Sequence, residues 1–148
     1  MGGVHPWKGL DFLFHTAGSS REAKEAMMSK VILVIEDQED NRRIMHDLLT
    51  SKGYEVIEAV NGFDGVNAAE TCRPDLILMD IQLPGIDGYE ATRRIKANPE
   101  IGKIPIIVVT SYALSGDDVK AFEAGCDAYV AKPFSPRKLL AKIREYLP

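Results

Sequence analysis

The sequence predicts an α/β domain built on a parallel sheet that is covered by helices on both faces. Short apolar runs, such as "VILVI" at 31–35 and "LILM" at 76–79, have the length and composition of strands buried on both faces. Each run is followed by a segment with helical spacing of apolar residues, and this alternation occurs five times. Repeated strand–helix units of this kind form right-handed crossovers and a doubly wound sheet.

The first half of the pattern begins with the strand at 31–35. A helix is predicted over 41–53, with Gly53 as its C-cap and with an inward face formed by Ile44, Met45, Leu48 and Leu49. A strand over 54–59 alternates in polarity, a helix runs from Asn61 until Pro74, and 76–79 forms the third strand.

The second half continues with a helix over 88–97 and a fourth strand over 104–110. A helix at 116–125 and a short strand at 128–131 follow. The last helix is predicted over 135–147, with Pro136 in its first turn and one apolar face made of Leu139, Leu140, Ile143 and Leu147.

Residues 1–28 differ from the regular region. Gly, Pro and Ser residues interrupt the segment, which shows no sustained period and lacks the basic start and long apolar run of a signal peptide. We expect an N-terminal extension outside the core, either flexible or the product of a start assigned too far upstream, because Met28-Ser29-Lys30 directly precedes the first strand. The domain itself is expected to span 29–148.

Composition narrows the function classes. The chain has 148 residues, 45% of them hydrophobic, and a net charge of −4, which argues against a nucleic-acid module. Apolar runs are too short for a membrane span. Cys72 and Cys126 form no metal-binding pattern and are expected to be small core residues of a cytoplasmic protein.

Polar residues follow four of the five predicted strands, whereas strand two contributes nothing comparable. They are Glu36 and Asp37 after strand one, Asp80 after strand three, Thr110 and Ser111 at the end of strand four, and Lys132-Pro133-Phe134 after strand five. In open parallel sheets ligands bind outside the carboxyl ends of the strands. Each residue alone has an ordinary structural explanation, such as a helix N-terminal charge or a solvated lysine. Three converging carboxylates, however, repel one another unless a cation lies among them, and Mg²⁺ suits such a site.

This set of residues resembles the receiver domain of two-component response regulators, the CheY-like superfamily. The successive intervals are 43 residues from Asp37 to Asp80, 30 from Asp80 to Thr110 and 22 from Thr110 to Lys132. The strings "LILMDIQLPGIDGYEATRRIK" and "GCDAYVAKPF" are also similar to the family's strings. The resemblance covers 30–147 and is greatest to stand-alone DivK-like receivers. It implies a (βα)5 flavodoxin-like three-layer sandwich with strand order 2-1-3-4-5.

The resemblance also implies a metal site. Asp37 and the acceptor Asp80 would bind Mg²⁺ directly, and the main-chain carbonyl of Gln82 would be the third protein ligand. Glu36 would act through water. The family often has Asp at the position of Glu36, so this residue is a mild departure.

Asp80 is implied as the phosphoacceptor, receiving the phosphoryl group from a phosphohistidine on a sensor histidine kinase or a histidine phosphotransfer protein. Lys132, followed by a cis bond to Pro133, would contact the phosphoryl oxygens or the Asp80 carboxylate, and the hydroxyl of Thr110 would donate to the phosphoryl group. The protein would thus assist its own phosphorylation and dephosphorylation rather than act as an enzyme on a separate substrate. Side chains at Gln82 and Tyr112 would flank the attacking water.

The resemblance implies output through protein–protein contact, since no output domain follows the last helix in this sequence. Thr110 and Tyr129 would act as switch residues. They would remodel a face made of helix four, strand five and helix five, which includes Asp118, Ala121, Ala131, Lys138 and Lys142.

Three other interpretations compete with this one. A haloacid-dehalogenase-like phosphatase needs an acid two residues after its nucleophile, where this chain has Gln82. A flavin-binding protein needs a Ser/Thr/Gly phosphate loop after strand one, where this chain has "EDQEDN". A non-phosphorylated receiver-like binding domain stays open as the alternative, although such domains typically lack Asp80 or Lys132, and both are present.

Overall fold

A five-stranded parallel sheet with helices on both faces forms the domain, as the sequence predicts. The computed structural model describes residues 29–111 and 117–148, so the N-terminal extension and Tyr112 lie outside the described residues. The sheet has the order β2-β1-β3-β4-β5. The elements are β1 (Val31–Ile35), α1 (Glu39–Ser51), β2 (Glu55–Ala59), α2 (Gly62–Cys72), β3 (Leu76–Met79), α3 (Gly88–Ala97), β4 (Ile106–Thr110), α4 (Asp117–Ala124), β5 (Ala128–Ala131) and α5 (Pro136–Tyr146).

The hydrophobic core consists of one layer on each face of the sheet. Alternate residues of a strand point to opposite faces, so Leu33 and Ile35 of β1 pack against one layer of helices while Ile32 and Val34 pack against the other. All four residues of β3 are buried because this strand is central. The apolar sequence of the strands is therefore explained by burial on both sides.

Local sequence signals set the helix ends. Asn61 caps α2 by accepting a hydrogen bond from the Asp64 N–H at 2.8 Å. Asp87 caps α3 in the same way, accepting from the Glu90 N–H at 2.9 Å. Pro136 occupies the first turn of α5, as predicted. None of the helices in the described part of the chain is long and apolar enough to cross a membrane.

Two predictions for α1 need correction, one for its C-cap and one for its inward face. The C-cap is Lys52 rather than Gly53, and Gly53 follows it with φ +90°, a left-handed conformation that favours glycine. The Tyr54 N–H then donates to the Leu49 carbonyl at 3.1 Å, which closes the last turn. Ile44 was expected to face inward but is 53% exposed. The buried stripe of α1 runs through Met45 and Leu49, and Ile44 lies about 100° around the helix from Met45.

A third correction concerns the predicted output face. Ala121 is fully buried against the sheet, because α4 turns Ala121 and Ala124 inward. The exposed apolar residues of α4 are Val119 and Phe122, at 54% and 50%. Small residues thus pack on the sheet here while larger ones face outward, the reverse of the usual size preference.

Candidate functional site

The ends of β1 and β3 bring two acidic residues to the same edge of the sheet. The Asp80 N–H donates to the Ile35 carbonyl at 3.0 Å, and the Glu36 N–H donates to the Ala59 carbonyl at 3.0 Å. Both hydrogen bonds extend the strand ladder just past the strands themselves. The backbone that carries these carboxylates is therefore as fixed as the sheet.

Lys132 reaches the same edge from β5. Its N–H donates to the Thr110 carbonyl at 2.7 Å, which joins the ends of β4 and β5. The Lys132–Pro133 peptide is cis, as the resemblance implied. Thr110 is fully buried at the end of β4. The predicted hydroxyl and ammonium groups therefore stand on adjacent strands.

Glu36, Asp37 and Asp80 form a compact acidic cluster. One carboxylate oxygen from each lies within 4.8 Å of the others. Glu36 is fully buried and Asp80 is 6% exposed, whereas Asp37 is half-buried. Carboxylates that are this close together and shielded from water repel one another strongly unless they share a cation. Carboxylate oxygens are hard ligands of the kind that Mg²⁺ prefers. The residues present therefore fit a magnesium site.

The ammonium group of Lys132 lies closer to the carboxylate of Glu36 than to that of Asp80. Its Nζ is 2.6 Å from Glu36 Oε1 and 3.7 Å from Asp80 Oδ1, and the side chain is only 14% exposed. The resemblance implied contact with Asp80 or with a phosphoryl group. The long side chain of Glu36 makes the closer ion pair available, and Lys132 bridges two of the three acids.

Backbone N–H groups orient the two buried carboxylates. Asp80 Oδ1 accepts from the Ile81 N–H at 2.8 Å, and Glu36 Oε2 accepts from the Gln38 N–H at 3.1 Å. Each carboxylate thus has one oxygen engaged by the main chain. The geometry of the cluster is set before any ligand arrives.

The pKa of Asp80 is raised from 3.8 to about 7. Burial is the largest cause and the charge of Glu36 adds to it, whereas the charge of Lys132 opposes the increase. Without a cation, its ionised form is therefore costly at neutral pH. A bound divalent cation would favour the carboxylate form, which is the nucleophilic form.

The cluster opens into a polar cleft of about 510 Å³. It is lined by Asp37, Gln38, Asn41, Asp80, Gln82, Ser111 and Lys132. Gln82 is exposed on the loop after β3. An anionic group that enters the cleft would meet Asp80 and Lys132 on one wall.

Thr110 and Tyr129 lie on one face of neighbouring strands. Val108 pairs with Tyr129 and Thr110 pairs with Ala131, so Thr110 stands one step further along β4 on the side that carries Val108. Tyr129 is partly buried against the core on that face. The two predicted switch residues are thus diagonal neighbours.

Gly88 is a site residue that the sequence reasoning missed. A Cβ at this position would lie 2.1 Å from the Asp80 carbonyl oxygen and 2.7 Å from Ile81 Cα. The Gly88 N–H donates to the Ile81 carbonyl at 2.8 Å, so the start of α3 contacts the main chain of the acidic site directly. The signal was present in the string "LPGIDG", whose last glycine precedes an apolar-periodic helix.

Arg42 is a second missed residue. Its Nη1 donates to the main-chain carbonyls of Glu36 and Asp37, both at 3.0 Å. Its Nε lies 3.4 Å from Glu58 Oε1. Strand β2, which was expected to place no comparable polar residue after its end, therefore supports the site indirectly through a residue within the strand. No sequence spacing links Glu58 to Arg42 before the fold is known.

Comparison with known proteins identifies the family to which this chain is similar. Residues 32–144 match the family model described as the response regulator receiver domain. A polar-differentiation response regulator DivK from Brucella anthropi is 42% identical over 120 residues, which cover 81% of this chain and 98% of the relative. DivK from Brucella ovis is 40% identical over the same shares.

Solved structures show the same fold. The receiver domain of a sensor histidine kinase from Pseudomonas aeruginosa PAO1, which has magnesium coordinated in its active site cleft, is 39% identical with a TM-score of 0.76, covering 80% of this chain and 98% of that one. A CheY-like receiver domain protein from Methanospirillum hungatei JF-1 is 36% identical with a TM-score of 0.73, covering 80% and 94%. This chain therefore belongs to the family of response regulator receiver domains, the signalling modules of two-component systems.

Proposed function

We propose that this protein is a phosphorelay receiver that accepts a phosphoryl group on Asp80 from a phosphohistidine of a sensor histidine kinase or a histidine phosphotransfer protein. The observation that carries the proposal is the position of Asp80, a nearly buried carboxylate at an open polar cleft with two further acids and one lysine. A buried nucleophile beside a cation site is what in-line phosphoryl transfer needs.

Asp37, Asp80 and the main-chain carbonyl of Gln82 would hold Mg²⁺ directly, and Glu36 would hold it through water. When bound, the ion neutralises charge on the carboxylates and on the incoming phosphoryl oxygens. Support comes from the fit of the cluster and from the magnesium described in the Pseudomonas receiver.

In the transfer step, a carboxylate oxygen of Asp80 forms a bond to phosphorus while the bond from phosphorus to the histidine nitrogen breaks. The electron pair of that bond stays on the imidazole. Lys132 can move from Glu36 toward the phosphoryl oxygens, because its Nζ already lies between the two acids. The hydroxyl of Thr110 would donate a hydrogen bond to the same phosphoryl group. Because Asp80, Lys132 and Thr110 all belong to this chain, a small phosphodonor should be able to replace the partner protein in the reaction.

A labelling experiment tests the proposal. Incubation with phosphoramidate and Mg²⁺ should add one phosphate to the protein, and EDTA should abolish the reaction. Asp80→Asn should remove the signal in the mass spectrum. Asp47→Asn, which changes an exposed carboxylate on α1, serves as the matched control and should be labelled like the parent. Labelling of Asp80→Asn at the parental level would overturn the assignment.

Output through the face made of α4, β5 and α5 belongs to the same proposal. Next to it lies a mainly apolar cleft of about 590 Å³ between β5 and α5, with Tyr129 and Lys138 among its lining residues. The phosphoryl group would draw Thr110 inward, and Tyr129 on the same sheet face would follow. A downstream protein would then bind the altered surface, which includes Asp118, Ala131, Lys138 and Lys142.

Beryllofluoride, a phosphoryl mimic, tests this coupling. In the parent it should shift the NMR signals of Tyr129 and Lys138, neither of which lines the polar cleft around Asp80. In Thr110→Ala the shifts near Asp80 should persist while those of β5 and α5 shrink, because the link between two conformational states is lost. Equal shifts of Tyr129 and Lys138 in both proteins would contradict the Thr–Tyr coupling.

A further inference from the structure

The guanidinium group of Arg42 is joined to the main chain of the acidic loop. A single nitrogen, Nη1, donates to the carbonyl oxygens of Glu36 and Asp37, both at 3.0 Å. These are the two acidic residues that follow β1. The Arg42 side chain is only 16% exposed, so the hydrogen bonds are largely shielded from water.

A second set of contacts holds the guanidinium from the opposite side. Arg42 Nε lies 3.4 Å from Glu58 Oε1, and the other oxygen of Glu58 lies 2.9 Å from His46 Nδ1. Glu58 belongs to β2, whereas Arg42 and His46 lie one turn apart on α1. The arginine is therefore fixed between a neighbouring strand and the loop.

We propose that Arg42 is a positioning residue that sets the conformation of the acidic loop and thereby the Mg²⁺ affinity of the site. This inference rests on the magnesium site of the proposed function. Only residues 36–38 separate β1 from α1. One donor that bridges two consecutive carbonyls restrains the peptide between them, so it also restrains the direction of the Asp37 side chain. Groups behind metal ligands commonly change metal affinity by about 10–100-fold.

When Arg42 is removed, its charge and its positioning role predict opposite changes in the Mg²⁺ affinity of the site. Removing a cation near the cluster lowers the repulsion that Mg²⁺ meets, so Coulomb interaction alone predicts tighter binding. Loss of the two hydrogen bonds frees the loop, so positioning predicts weaker binding. The sign of the change therefore separates the two explanations.

Magnesium affinity is measured by titrating the protein with MgCl2 and following backbone amide NMR signals of the cleft. Arg42→Met removes the charge and the donors but keeps an unbranched apolar side chain, and we expect about tenfold weaker binding. Arg43→Met is the matched control. It removes the same charge from the next residue, which is 68% exposed and pairs only loosely with Glu39 at 3.8 Å, and should bind like the parent or slightly tighter. Arg42→Lys, which keeps a donor and the charge, should recover part of the loss.

Glu58→Gln provides a second route that leaves Arg42 in place. It should weaken Mg²⁺ binding severalfold in the parent but cause little further loss in Arg42→Met, because both changes act through the same group. Equal or tighter binding by Arg42→Met, with a folded NMR spectrum, would overturn this inference alone. A parent that binds no Mg²⁺ would overturn the magnesium site and the inference with it.

Discussion

Asp80→Asn should make the metal-free protein more stable at pH 8, although it removes the proposed phosphoacceptor. The ionised carboxylate of Asp80 is buried beside Glu36, and these two effects raise its pKa from 3.8 to about 7. At 1.36 kcal/mol per pH unit, this difference corresponds to a cost on the order of 4 kcal/mol when the group is ionised in the folded state. Asparagine avoids the charge, and Lys132 keeps its nearer partner Glu36 at 2.6 Å.

The pH dependence follows from the sign of this shift. Because the folded form holds the Asp80 proton more tightly than the unfolded form, the contribution of this group to stability is fully present below pH 3.8 and is lost as pH rises to about 7. The excess stability of Asp80→Asn over the parent should therefore be small near pH 4 and should reach its plateau above pH 7. Urea unfolding of both proteins near pH 4 and at pH 8 measures this difference in the free energy of unfolding.

Two controls separate burial from general charge effects. Asp47→Asn changes an exposed carboxylate of α1 and should alter the free energy of unfolding little at either pH. Addition of MgCl2 at pH 8 should stabilise the parent and close the gap to Asp80→Asn. A parent and an Asp80→Asn variant of equal stability at pH 8 without metal would contradict the account of the buried charge.

Gly88→Ala should destabilise the protein by about 3 kcal/mol, a value at the upper end for overpacking. The added Cβ would lie 2.1 Å from the Asp80 carbonyl oxygen, and both contacting atoms belong to the backbone of the site. Helix propensity predicts the opposite sign, since alanine is favoured over glycine by about 1 kcal/mol in a helix interior and by less at the first helical residue, which Gly88 is. Thermal or urea unfolding of the variant decides between sterics and propensity.

Gly53→Ala is the informative comparison for Gly88→Ala. Gly53 has φ +90°, and a Cβ added there would have no atom within 4 Å, so alanine meets conformational strain but no clash. Its cost should be about 1–2 kcal/mol, the penalty for a left-handed alanine. A smaller loss for Gly88→Ala than for Gly53→Ala would show that the contact between α3 and the site is not tight.

The sheet and its acidic edge were predictable from sequence because both depend on local patterns. Apolar runs such as 76–79 identify the strands, and parallel strands necessarily bring Asp37 and Asp80 to one edge. The sequence predicted less well which side of each helix is buried. Ile44 and Met45 are adjacent apolar residues, and only the packed structure shows that Met45 is the buried one.

Contacts between distant residues could not be predicted in the same way. Lys132 forms its closer ion pair with Glu36 rather than with Asp80, and this preference depends on side-chain length and burial in the folded structure. The link from Arg42 to Glu58 joins α1 to β2 through side chains with no shared sequence motif. These missed contacts surround the acidic site, where function constrains residues more than local structure does.

Locating the phosphoryl group chemically tests the central claim most directly. After treatment with phosphoramidate and Mg²⁺, borohydride reduction converts an aspartyl phosphate to homoserine, and the modified position can be read by peptide mass spectrometry. The account predicts homoserine at position 80 and none when EDTA is present during phosphorylation. Homoserine at another aspartate, or an unmodified Asp80 in a protein that carries phosphate, would contradict it.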